Sequence, residues 1–113
     1  MKATATVDLA CMQTAITTRE DALLGGWNTH SSSVAAAYSA RKTALLAAWT
    51  KTVKNERRAA INAAWQAFKT ARQTARKQWN TSQKSAWDAF KNAAKTCRGT
   101  AEADISGAAI DAQ

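Results

Sequence analysis

Apolar positions recur along this chain every eleven residues. Stepping from Met12 gives Met12, Leu23, Val34 and Leu45, and the neighbouring row gives Ile16, Trp27, Tyr38 and Trp49. In the second half the rows are Phe68, Trp79, Phe90 and Ala64, Ala75, Ala86, Cys97. Eleven residues fill three turns at about 3.67 residues per turn, so each row stays on one face of a nearly straight helix. The chain has no proline and abundant alanine, a composition that favours helix strongly. The pattern predicts an all-α protein.

Each half also repeats over 22 residues. Residues 12–27 lie over 34–49 with Ala, Arg, Ala, Leu, Leu and Trp matched, and 60–75 lie over 82–97 around a shared AW-x-AFK. Between Trp49 and Trp65 the spacing drops to 16, so the register breaks once, near residues 50–56. That polar stretch predicts a turn, with Thr52 or Asn55 as the cap of a new helix. The cysteines give a separate reading. In an antiparallel hairpin, residues at one height have numbers with a constant sum; Cys11 and Cys97 sum to 108, which centres the turn on residue 54. Both readings predict a long antiparallel two-helix hairpin, with helices near 6–51 and 54–97, each about 65 Å long. A Cys11–Cys97 disulfide would staple its open ends and implies an oxidising, extracytoplasmic compartment, secreted or at the cell surface.

The weakest stretch for helix is Gly25 to Ser33, with two glycines and three serines. It faces another polar interlude at 78–83, and breaks at both would give a four-helix bundle instead. Against that, the repeat passes through without losing phase, with Gly26 in the place of Ala15, Ala37 and Ala48. Continuous helices are the expectation. The domain is expected to cover residues 1–98, with Gly99 as helix stop. Residues 99–113 then form a flexible acidic tail, unless Ile105 and Ile110 let it pack back.

Charge sharpens the picture. The net charge is +8, and residues 54–98 carry eleven basic groups against Glu56 and Asp88. Arg58, Lys69 and Lys91 share a row, Lys84 and Lys95 form an adjacent one, and Lys77 and Arg76 lie near. A basic stripe of this kind suits a polyanion, bound with strong salt sensitivity and little sequence preference. Trp65 and Trp87 alternate with Arg76 and Arg98 in one row, which predicts an edge position suited to self-association or to stacking on a ligand.

Catalytic chemistry is not in evidence. The lone histidine, His30, shares a row with Asp8, Arg19 and Arg41 that reads as a solvated or boundary face. One histidine and two distant cysteines cannot close a zinc site, and no glycine-rich phosphate loop is present. No cofactor, metal or small-molecule substrate is expected, and the protein is not expected to be an enzyme. No apolar run approaches the roughly 18 residues of a membrane span. The start, Met1-Lys2-Ala3-Thr4, does not read as a signal peptide, although removal of a leader from a longer precursor fits equally well.

The leading expectation is a non-enzymatic exported binding or structural protein whose second helix offers a basic face to nucleic acid or an acidic cell-surface polymer. A self-assembling filament or coat subunit, a homo-oligomer, is the first alternative. A membrane-surface binder ranks behind it: the 11- and 22-residue repeats resemble lipid-surface helices of the apolipoprotein type, but without their proline punctuation. The motifs R-x-x-A-L-x-x-x-W (Arg19–Trp27, Arg41–Trp49), E-R-R-A-A-I-x-A-A-W-x-A-F (Glu56–Phe68) and W-x-A-F-K…C (Trp87–Cys97) give a further likeness. Over about residues 8–97 the chain resembles small exported helical proteins of ultra-small candidate-phyla bacteria, which carry a cysteine near each end. That resemblance implies export and a helical fold; it lends no activity and no site residues.

Overall fold

A computed structural model describes residues 6–112. Residues 1–5 and Gln113, assigned above to the hairpin domain and the tail, lie outside them. Helix α1 spans Leu9–Ala48 and helix α2 spans Lys54–Thr96, followed by a short α3 at Gly107–Asp111. No strand occurs among the described residues. The fold is an all-α antiparallel helical hairpin. Both 25–33 and 78–83 are helical throughout, so the four-helix alternative is excluded. The cost of the glycines, about 1 kcal/mol each, is absorbed because the repeat keeps every apolar row in phase.

Helix ends account for the small differences from the expected bounds. Asp8 is the N-cap of α1: its Oδ1 accepts from the Cys11 N–H at 3.0 Å, and its own N–H donates to the Cys97 carbonyl at 3.0 Å. At the other end the Thr50 N–H and hydroxyl both donate to the Ala47 carbonyl, which tightens the last turn and ends α1 at Ala48. Val53, rather than Thr52 or Asn55, precedes α2, and its carbonyl accepts from the Arg57 N–H at 2.9 Å. The stop of α2 also differs in detail. Arg98, not Gly99, takes the left-handed conformation, with φ 64°. The Gly99 N–H donates to the Ala94 carbonyl at 2.8 Å and the Arg98 N–H to the Lys95 carbonyl at 3.2 Å, the paired bonds of a Schellman ending. A Cβ at Gly99 would meet the flexible end of the Met12 side chain, which would have to shift to admit it.

Contacts divide the chain into two compact units. Unit 1 holds the residues up to Trp27 together with those from Asn80 onward, and unit 2 holds Asn28–Trp79. In unit 1, Ala15, Trp87, Phe90 and Ala94 form a buried cluster against which Met12, Leu23, Ala93, Ala103 and Ala108 pack. The Cys11 and Cys97 sulfurs are bonded, with Cα atoms 5.5 Å apart. In unit 2 the buried apolar residues are Ala37 and Ala48 of α1 and Ala64 and Ala75 of α2. In both units, then, the helices meet through small side chains on eleven-residue rows.

The described part of the acidic tail is folded back on α2 in unit 1. The Trp87 indole N–H donates to Asp111 Oδ2 at 2.6 Å, and the buried Gln83 amide donates to the Asp111 carbonyl. A hydrogen bond to a charged group is worth about 1.5–3 kcal/mol. Ile105 and Ile110, the residues expected to drive any docking, are exposed; a polar anchor and two alanines hold the segment instead. Within its turn, Asp104 Oδ1 accepts from the Ser106 hydroxyl at 2.6 Å and from its N–H at 2.9 Å. These bonds hold the Asp104 carboxyl below its ordinary pKa, so they support the turn above that ordinary value and are lost as pH falls through the lowered one.

Two stability changes follow. Reducing the Cys11–Cys97 bond should lower stability by about 4 kcal/mol on the chain-entropy account, read as a fall in the urea midpoint; an unchanged midpoint would show that the bond closes nothing. Gly25 lies in mid-helix, and a Cβ there would meet nothing within 4 Å. Gly25→Ala should therefore raise stability by roughly 1 kcal/mol, seen as a higher Tm in circular dichroism.

Candidate polyanion-binding face

Helix α2 is sided. At the eleven-residue pitch, the rows Ala59/Thr70/Thr81/Asn92, Ala63/Thr74/Ser85/Thr96 and Ala67/Gln78/Ala89 carry no charge, and every one of these residues is exposed. Ten of the eleven bases of 54–98 fall on the other flank of the Ala64/Ala75/Ala86/Cys97 row, the flank that carries the aromatic residues, and Lys77 sits at the back of the helix, opposite that row. Charge also divides by unit. Asn28–Trp79 holds ten basic residues against Glu56, a net +9, whereas the rest of the chain holds six basic and seven acidic, a net −1. The protein's whole positive excess belongs to unit 2.

Unit 2 gathers part of that charge around one groove of about 600 Å³. Trp65, Lys69 and Arg76, all anticipated from the sequence, line it together with Arg72, Gln66, Gln73 and Phe68 of α2 and with His30 and Val34 of α1. Among the described residues no carboxylate lines it. Trp65 is 49% exposed, so a flat apolar surface stands beside three cations. Arg72, not among the anticipated residues, shares a row with Ile61, Gln83 and Ala94 and no other base.

His30 alone of its row lines the groove, and sequence reading had placed that row, with Arg19 and Arg41, on a solvated or boundary face. Arg41 Cζ lies 4.3 Å from the Phe68 ring centroid and 4.8 Å from those of Tyr38 and Trp65. One hendecad earlier, His30 stacks on Trp79 with centroids 6.0 Å apart, and His30 Nδ1–H donates to the Ala75 carbonyl at 3.2 Å. In unit 1 Arg19 Cζ lies 4.5 Å from the Trp87 centroid and 4.3 Å from that of Phe90. The row Arg19/His30/Arg41 is thus an interface row set against Phe90/Trp79/Phe68, each pair of numbers summing to 109. The constant of 108 taken from the cysteines pairs this row with Ala89, Gln78 and Ala67, one position short of the aromatic row that it meets. Stacking keeps Arg19 and Arg41 half-buried beside aromatic faces, and cation–π contacts of this sort contribute about 0.5–2 kcal/mol each.

The remaining anticipated residues are not all brought together. Lys84 and Lys91 line a separate hollow of about 440 Å³ in unit 1, beside Trp87 and Asp88. Lys84 Nζ is 3.9 Å from Asp88 Oδ2, a surface pair of little energetic weight. Arg58, Lys77 and Lys95 are exposed and line neither recess. Trp87, anticipated as a stacking or self-association residue, is only 7% exposed because the C-terminal segment covers it. Among the described residues no group of three or more His, Cys, Asp or Glu side chains is placed to hold a metal. No helix among them is long and apolar enough to cross a membrane.

Compared with protein-family models, curated proteins and solved structures, the chain matches none.

The stacked row has a direct test. Arg41→Ala removes a guanidinium and its stem from three ring contacts and should cost about 1–2 kcal/mol in urea unfolding, whereas Lys42→Ala, its exposed neighbour, should cost little. Equal effects from the two would remove the stacking account.

Proposed function

We propose that this chain is a non-enzymatic, exported binding protein that holds polyanions on the basic face of unit 2. The observation that carries this reading is the convergence of Lys69, Arg72 and Arg76 on a groove with Trp65 exposed at its side and no carboxylate in its lining. Cations supply attraction that does not depend on sequence, and the indole supplies a face for a base or a sugar ring. Arg58 and Lys77 extend the field beyond the groove. The bonded cysteines are compatible with an extracytoplasmic location, where such bonds persist.

A second reading, self-assembly, is favoured by one specific feature. Trp27, Tyr38, Trp49 and Trp65 all remain exposed, as do Leu24 and Leu46. Large apolar side chains left exposed in this number suit contacts between proteins. Sedimentation across a concentration series separates the two readings, because a strict monomer that binds polyanion supports the first alone.

For the leading reading, fluorescence titration with random-sequence single-stranded DNA at low salt should show saturable binding. The triple variant Lys69→Gln, Arg72→Gln, Arg76→Gln should bind more weakly, and its log–log dependence on salt should be shallower by about 2. Absence of binding to this DNA and to polyglutamate at low salt, or a triple variant with unchanged salt dependence, would overturn the reading.

A further inference from the structure

The 22-residue repeat places two copies of one side-chain constellation in the protein, one in each unit. In unit 2, Arg41 stacks on Trp65 and Phe68, whose rings meet edge to face at 6.1 Å and 85°. In unit 1, Arg19 stacks on Trp87 and Phe90, whose rings meet at 5.7 Å and 89°. Arg19 and Arg41 are 22 residues apart, as are Trp65 and Trp87, Phe68 and Phe90, and Lys69 and Lys91. The two copies differ in what lies over the tryptophan. Trp65 is open beside its groove. Trp87 is covered by the C-terminal segment, and its indole N–H is taken by the Asp111 carboxylate at 2.6 Å.

We infer that unit 1 contains a second polyanion site, centred on Trp87 and Lys91, and that the C-terminal segment occupies it as an internal acidic ligand. This inference rests on the polyanion reading of the Trp65 groove. The segment has the chemistry of a competitor. Residues 99–113 carry Glu102, Asp104 and Asp111 and no base, so they change the charge of unit 1 from a net +2 without them to −1 with them. An anion that reaches Trp87 must displace a carboxylate already on the indole N–H. The site is weaker than its counterpart even when free, because Ala94 stands where unit 2 has Arg72.

The segment can be dislodged without altering charge. A Cβ at Gly107 would lie 2.9 Å from Cη2 of Trp87, so Gly107→Leu wedges α3 off the ring. The test is a calorimetric titration with a short single-stranded oligodeoxynucleotide. The unaltered chain should bind one equivalent and Gly107→Leu two, the second more weakly. Adding Trp65→Ala or Trp87→Ala to Gly107→Leu should each return the count to one. The double variant Gly107→Leu, Asp111→Ala also removes the anchoring carboxylate. If neither it nor Gly107→Leu gains a second equivalent while the unaltered chain binds one, the covered site is refuted and the Trp65 reading stands. If the unaltered chain binds nothing and the released variants bind one equivalent that Trp87→Ala abolishes, the Trp65 reading fails and the covered site stands. No binding by any variant removes both.

Discussion

Close approach of two helices through alanine is the constraint from which the other features descend. The rows Ala15/Gly26/Ala37/Ala48 and Ala64/Ala75/Ala86/Cys97 supply most of the buried positions, and a larger residue in either would push the helices apart. A seam of such small side chains removes little apolar surface per residue. The bulk needed for stability sits beside it, and both sequences put that bulk on the same flank of the seam. On α2 the opposite flank is left with alanine, threonine, serine, asparagine and glutamine.

That crowded flank explains why aromatic and cationic residues occur together. A two-helix layer has no third element to cover tryptophans, and arginines from α1 do part of that work by lying across the rings. An arginine stem is apolar and its guanidinium remains partly hydrated at the edge, so it seals an aromatic surface without demanding a buried counter-ion. In unit 1 the C-terminal segment completes the cover over Trp87, and in unit 2 no segment among the described residues does so over Trp65. The difference between the two units is the difference between a closed and an open version of one arrangement.

Much of this was legible in the residues. The phase of the Met12 and Phe68 rows predicted two helices, the single break near 50–56 predicted the turn, and Cys11 with Cys97 predicted the pairing. Periodicity also carried α1 correctly through Gly25–Ser33 and α2 through 78–83. What it could not show was the depth of the Arg19/His30/Arg41 row. A charged row reads as solvated unless its partner row is consulted, and here the partner row is wholly aromatic. The C-terminal segment was obscure for a related reason. Its anchor is the Asp111 carboxylate meeting an indole N–H, whereas a hydrophobic pattern points to Ile105 and Ile110, which stay exposed. The α2 ending was found, but Arg98 in the left-handed conformation was hidden behind the more conspicuous Gly99.

The account stands or falls on the register that sets α1 cations on α2 rings. Nuclear Overhauser contacts between side chains measure it directly in the oxidised protein. Cross-peaks from the His30 ring to the Trp79 indole, and from the Arg41 δ-methylene to the Phe68 ring, are the predicted result. Cross-peaks from those same α1 side chains to rings one helical turn away along α2, or only to solvent, would contradict it and dissolve the groove built upon that register.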